Sequence, residues 1–172
     1  DIDLSREAFP HQTIRTGSLE GIPARILRAS FSGELCYEVN VPTGYGAALW
    51  DAAMVRGQDL GVKPYGVESV MTMRIEKGYL HVGSDTDGTT IPGDVGWGHI
   101  AERKKAHFVG KRSLFRPHCT DPNRHQFVGL EPLDGKAPLH AGGHLTAKGG
   151  KASEGYLTSA AYSPTLDRYI GL

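Results

Sequence analysis

Two short apolar runs around a glycine most constrain what this chain can fold into. Residues 24–29 place Ile26 opposite the faces of Arg25 and Leu27. Residues 35–41 alternate Leu35, Tyr37, Val39 and Val41 against Cys36, Glu38 and Asn40. A two-residue period is that of a strand with one buried face. Between the runs lies Phe31-Ser32-Gly33-Glu34, and Gly33 can take the positive φ of a turn. The segment 25–41 therefore predicts a β-hairpin, with Glu34 at its tip and Glu38 in its second strand. Glu38, set among apolar neighbours, would need hydrogen-bond donors to offset its desolvation. A nitrogen heterocycle with an amino group beside a ring N–H offers two. A glutamate facing solvent is the commoner use of such a position.

After the hairpin, Pro42-Thr43 opens a helix, with Thr43 as its N-cap and Gly57 and Gly61 at its end. Tyr45, Leu49, Ala52 and Ala53 share one face. A second helix is expected over 67–77, where Val67, Val70, Met71, Arg74 and Ile75 follow the helical period and Gly78 stands at C′. Arg74 falls on its inner stripe, where it either pairs with Glu76 or Glu38 or meets a ligand. Glu20-Gly21 is a turn leading into the hairpin. This order of strands and helices predicts an α+β fold, an antiparallel sheet with helices on one face.

Gly83-Ser84-Asp85-Thr86-Asp87-Gly88 begins like a calcium loop, but Pro92 and Gly93 stand where later oxygen ligands belong. It reads as a tight acidic turn. No metal site is assigned, since His140 and His144 are separated by two glycines that break a helical pair. Arg103-Lys104-Lys105 and Lys111-Arg112, with Arg116 and Arg124 beyond, form a basic segment that is either a solvated face or a lure for an anion. A short helix starts near Phe108. Residues 117–123 form a polar linker, followed by strands at 126–130 and 155–159 and glycine turns at 142–143 and 149–150.

Nineteen Lys and Arg balance nineteen Asp and Glu, so the net charge of zero argues against nucleic acid or an anionic membrane as a general partner. No apolar run approaches the ~20 residues of a membrane span. With no leader pattern visible, a cytoplasmic location is expected, and Cys36 and Cys119 are read as reduced thiols. The absence of an initial Met and the apolar run 169–172, a strand in progress, suggest a piece of a longer polypeptide.

Phe31-Ser32-Gly33-Glu34-Leu35-Cys36-Tyr37-Glu38 resembles the Tyr-Thr-Gly-Glu-x-x-Phe-Glu segment of the folate-binding aminomethyltransferase family, which includes the glycine cleavage T-protein. Further matching stretches follow in order at 49–52, 73–79, 83–87, 108–112, 127–130 and 157–164, so the resemblance spans nearly the whole chain. Arg74-Ile75-Glu76-Lys77-Gly78-Tyr79 and the Asp85-Thr86-Asp87 run resemble the branch formed by sarcosine oxidase alpha subunits. The resemblance implies that residues 1–116 are a folate-binding α+β region and 117–172 a truncated β domain of barrel or jelly-roll type. It implies tetrahydrofolate as ligand, with Glu38 on the pterin and Phe31 in place of the family's Tyr, able to stack but not to hydrogen-bond. Tyr37 and Tyr79 are read either as aromatic walls of that pocket or as core packing, and Arg74 as a ligand contact or a structural pair. Flavin and NAD would belong to other parts of an enzyme complex, and the partners would be the other sarcosine oxidase subunits. The family's catalytic Asp would precede residue 1, so no catalytic residue is assigned. Val70 stands where the family commonly has an Arg. A glycine-cleavage-type aminomethyltransferase and a non-catalytic subunit-docking domain are the alternatives.

Overall fold

The computed structural model describes residues 2–104 and 106–172. Lys105 of the basic segment and Asp1 lie outside the described residues. The chain forms two compact units, residues 1–73 and 74–172.

The first unit is organised by a three-stranded antiparallel sheet in the order β1-β2-β3. β1 is Ile14–Leu19, β2 is Ile22–Leu27 and β3 is Glu38–Asn40. Glu20 and Gly21 join the first two strands with φ of +50° and +78°, a pair of left-handed residues suited to a two-residue hairpin. The alternation in β2 is clean: Ile22, Ala24 and Ile26 are buried, while Pro23 and Arg25 are exposed. β3 pairs with β2 through Arg25 with Asn40, Ile26 with Val39, and Leu27 with Glu38. The expected pairing of the two apolar runs is therefore present, but not as a tight hairpin. The chain leaves the ladder at Leu27 and rejoins it at Glu38, and the intervening loop is tied internally by the Ser32 hydroxyl and the Cys36 thiol at 3.4 Å. Ser30 donates to the same sulfur at 3.6 Å, and the Glu34 N–H donates to Ser32 Oγ at 3.4 Å.

Phe9 is fully buried, and its segment is fastened from several sides. Arg15 Nη2 donates to the Ala8 carbonyl at 2.6 Å, and its guanidinium carbon lies 5.2 Å from the centre of the Phe9 ring. Arg28 Nη1 donates to the Phe9 carbonyl. Burying a side chain of this size contributes about 1.5–3 kcal/mol. The helix α1, Gly46–Gly57, follows a 3₁₀ turn at Thr43–Tyr45. Thr43 makes no side-chain cap, because that turn displaces the helix start to Gly46. Gly61 at φ +71° closes the segment in the left-handed conformation. Of the expected apolar face, Leu49 and Ala52 are half-buried, whereas Tyr45 and Ala53 are exposed.

The helix α2 runs Val67–Glu76. Its end is a Schellman turn, with the Gly78 N–H on the Ile75 carbonyl at 2.9 Å and the Tyr79 N–H on the Arg74 carbonyl at 2.9 Å. Gly78 has φ +67°, as expected of a C′ glycine. The second unit begins within α2, at Arg74, and holds a short helix α3 at Gly98–Arg103 and two hairpins. β4, His144–Thr146, pairs with β5, Ser153–Tyr156, and β6, Ala160–Ser163, pairs with β7, Arg168–Gly171, both antiparallel. Among the described residues these strands do not close into a barrel. The run 126–130 is not a strand: the Phe127 N–H goes to the Asp94 carbonyl at 2.7 Å, and only Leu130 pairs, with Gly171. Ile75, Ile170 and Leu172 form the core of this unit, with Phe127 and Ala161 against it. The mixed helix–strand architecture with antiparallel sheets is the α+β class that the sequence predicts.

Candidate functional site

The residues singled out by sequence fall into two groups, one in each unit. Phe31, Tyr37 and Glu38 belong to the loop and strand after β2. Phe31 and Tyr37 are half-buried, and Glu38 is exposed. The expectation that Glu38 is desolvated by apolar neighbours is thus corrected, because β3 is an edge strand of three residues, all of them exposed. Among the described residues no side-chain hydrogen bond engages that carboxylate, which leaves its acceptor positions available. Tyr37 is engaged differently. Its ring lies 5.7 Å from that of Phe9, and its hydroxyl donates to the Leu4 carbonyl at 3.2 Å.

Arg74 and Tyr79 belong to the second unit, where the end of α2 meets the acidic turn. Arg74 is 3% exposed and pairs with neither Glu76 nor Glu38. Its Nη1 donates to Asp85 Oδ2 at 2.5 Å and to the Tyr79 carbonyl at 3.1 Å, and its Nη2 donates to Ser159 Oγ. Nε is buried without a partner among the described residues. These contacts give Arg74 a structural tie rather than a free fork for a ligand. Asp85 also accepts from Thr158 Oγ1 at 2.5 Å, Ser159 Oγ at 2.8 Å and the His81 N–H at 2.8 Å. Burial pushes its carboxyl up, but the hydrogen bonds from Thr158, His81 and Ser159 and the Arg74 charge outweigh that and hold it below the usual carboxylate range. Glu76, expected as a possible Arg74 partner, instead accepts from the fully buried Ser163 hydroxyl at 2.5 Å. Tyr79 keeps 42% of its surface exposed.

The rest of the acidic turn is self-contained. Asp87 accepts from the Thr89 N–H at 2.8 Å and the Thr89 hydroxyl at 2.7 Å. Asp94 takes a two-point contact from Arg124, Nε to Oδ1 at 2.7 Å and Nη2 to Oδ2 at 2.5 Å. The hydrogen bond from Arg124 lowers the Asp94 carboxyl and raises the Arg124 guanidinium. Arg124 also donates to the carbonyls of Thr89 and His118, each at 2.9 Å. It is therefore neither an open anion receptor nor a solvated side chain, the two readings of the basic segment. Lys111 likewise donates to the Lys104 carbonyl at 2.7 Å. A cleft of about 570 Å³ opens between Asp87, Arg124, Phe127, Leu145 and Tyr156, and none of Phe31, Tyr37, Glu38, Arg74 and Tyr79 lines it. Sequence reasoning missed Asp85, Thr158 and Ser159 as a unit. Only their polarity was visible, since the contacts join positions 73 and 74 residues apart.

Residues 1–105 match the GCVT N-terminal domain, and residues 125–172 match the glycine cleavage T-protein C-terminal barrel domain. The chain belongs to the glycine cleavage T-protein family. Among its relatives in that family, the sarcosine oxidase subunit alpha of Rhizobium meliloti (strain 1021) is 43% identical over 100% of this chain and 18% of its own length. The aminomethyltransferase of Halothermothrix orenii is 35% identical over 98% of this chain and 46% of its own. In solved structures, glycine cleavage system aminomethyltransferase T from Bartonella henselae superimposes with a TM-score of 0.71 at 27% identity, covering 86% of this chain and 40% of that one. The chain thus spans 18% of the length of the first of these relatives, and its fold is that of the Bartonella henselae aminomethyltransferase T over the part they share. No helix of the described residues is long and apolar enough to cross a membrane.

Proposed function

We propose that this chain is the tetrahydrofolate-binding part of a sarcosine oxidase alpha subunit. The observation that carries the reading is the 43% identity to a sarcosine oxidase subunit alpha along the full chain, against 35% for the aminomethyltransferase of Halothermothrix orenii. In the whole enzyme, sarcosine is oxidatively demethylated to glycine at a flavin held elsewhere. The one-carbon unit passes to tetrahydrofolate as 5,10-methylenetetrahydrofolate. NAD, like the flavin, belongs to other parts of the complex, whose remaining subunits are this chain's protein partners in the cytoplasm.

This chain's own contribution is to bind and orient. Glu38 anchors the pterin, because an ionised carboxylate is acceptor-only and the pterin edge presents an amino group and a ring N–H side by side. Its exposed, uncommitted oxygens fit that donor set. Phe31 and Tyr79 would offer aromatic surface to the ligand. Arg74 and Tyr37 support the reading less directly, since both are engaged within their own units. The division into a folate-binding region, 1–116, and a β domain, 117–172, is part of the same proposal, and the gap between the two family matches at 106–124 supports it.

The test is titration calorimetry of tetrahydrofolate into the full-length protein and its Glu38→Gln variant. A lost charge-assisted hydrogen bond, ~1.5–3 kcal/mol, predicts binding weaker by about tenfold or more. Unchanged affinity in a folded variant would remove Glu38 from the site. A glycine-cleavage-type aminomethyltransferase is the second reading, favoured by the structural match to aminomethyltransferase T. Flavin absorbance and sarcosine turnover in the native complex decide between them.

A further inference from the structure

We propose that Tyr37 is a positioning residue for the Glu38 carboxylate, acting as the register lock of β3 through its seat on Phe9. The inference rests on the reading of Glu38 as the pterin anchor. β3 makes only three ladder pairs with β2 and lies at the edge of the sheet. Short edge pairings specify register weakly, and a slip of one residue sends every side chain to the opposite face.

The observed register assigns the faces. Ile26, which is buried, stands opposite Val39, and the exposed Arg25 stands opposite Asn40. Partners directly opposite share a face, so Val39, 39% exposed at this edge, lies on the face of Ile26, and Glu38 and Asn40 lie on the other face, beside the half-buried Leu27 and the exposed Arg25. Tyr37, one residue before Glu38, continues the face of Ile26 by the same alternation. There its ring meets Phe9 at 5.7 Å, and its hydroxyl reaches the Leu4 carbonyl at 3.2 Å. Phe9 is fully buried and is itself held by Arg15 and by the hydrogen bond of Arg28 to its carbonyl. Loop 28–37 ends on a fixed point, and Glu38 can leave it only toward solvent. In a slipped register Tyr37 would lose Phe9, and Glu38 would point at the core.

A double-mutant cycle on the full-length protein, read as tetrahydrofolate affinity, tests this. Tyr37→Leu is expected to weaken binding about fivefold or more when Glu38 is present, and by less than about twofold in the Glu38→Gln background. Tyr37→Phe keeps the ring on Phe9 and is expected to restore affinity to within about threefold of the parent. A merely structural Tyr37 would lower the melting temperature equally in both backgrounds and leave the two affinity ratios equal. Equal ratios, or full affinity in Tyr37→Leu while Glu38→Gln is impaired, overturn the positioning role alone. Full affinity in Glu38→Gln overturns the anchor and the positioning role together. If Tyr37→Leu does not fold, Tyr37→Met, which also removes the ring from Phe9, takes its place in the cycle with the same expectations, and equal affinity ratios there overturn the positioning role.

Discussion

The Arg74 guanidinium and the Asp85 carboxylate meet at 2.5 Å with 4% and 0% of their side chains exposed. The pair joins the end of α2 to the acidic turn, and the hydroxyls of Thr158 and Ser159 bring in the segment before β6. A buried pair of this kind adds little over an apolar replacement of both partners, but breaking it strands a charge.

Arg74→Met should therefore destabilise the second unit by about 3–5 kcal/mol, read from urea denaturation of the intact protein. Adding Asp85→Asn to Arg74→Met should recover part of the loss by removing the stranded charge. A loss below about 1 kcal/mol in the single variant would mean that the pair behaves as a solvated one.

Acid should unfold this unit before neutral pH weakens it. Asp85 and Asp94 both have folded-state pKa values below the ordinary range, Asp85 through bonds that outweigh its burial and Asp94 chiefly through Arg124. The folded state then holds fewer protons than the unfolded one. The stability these groups contribute is complete above about pH 4 and is lost as pH falls below it through their folded values. Asp85→Asn should flatten the acid limb of a stability–pH profile, and an unchanged limb would contradict the assignment.

Arg124→Lys should lower the unfolding midpoint, though less than Arg74→Met does. Lysine cannot reproduce the two-point contact with Asp94 while also reaching the Thr89 and His118 carbonyls. Thermal melts beside Arg112→Lys, an exposed control, would check this.

Glu20→Asn should stabilise the first unit by about 0.5–1 kcal/mol, because asparagine tolerates the left-handed φ of +50° better than glutamate does. The exposed ion pair of Glu20 with Arg56 would be lost, but at 54% and 73% side-chain exposure it contributes little. Arg56→Gln measures that loss separately.

Local patterns carried much of this fold. The alternation in β2, the Glu20-Gly21 turn and the C′ glycine of α2 depend on neighbours in sequence, so residue type was enough. The pairing of the two apolar runs was also legible, but its closure was not. Ser32-Gly33 looked like a hairpin turn, yet the side-chain ties of Ser30 and Ser32 to Cys36 fold that stretch into a loop of its own. The strand expected at 126–130 fails because its N–H at Phe127 is claimed by Asp94. The helical period places Arg74 on the inner stripe of α2, but its partner lies 11 residues on, in a turn whose direction no local rule sets.

The glycine that ends α2 has a reach that its surface position hides. Gly78 has open space where a Cβ would go, so only its left-handed φ of +67° resists substitution. Arg74 closes a ring through that turn: its own carbonyl takes the Tyr79 N–H, and its guanidinium takes the Tyr79 carbonyl. The same guanidinium holds Ser159, 85 residues further along. A β-branched residue at 78 would twist the turn, and the damage would surface at the start of β6, as faster amide exchange at Ser159 and its neighbours.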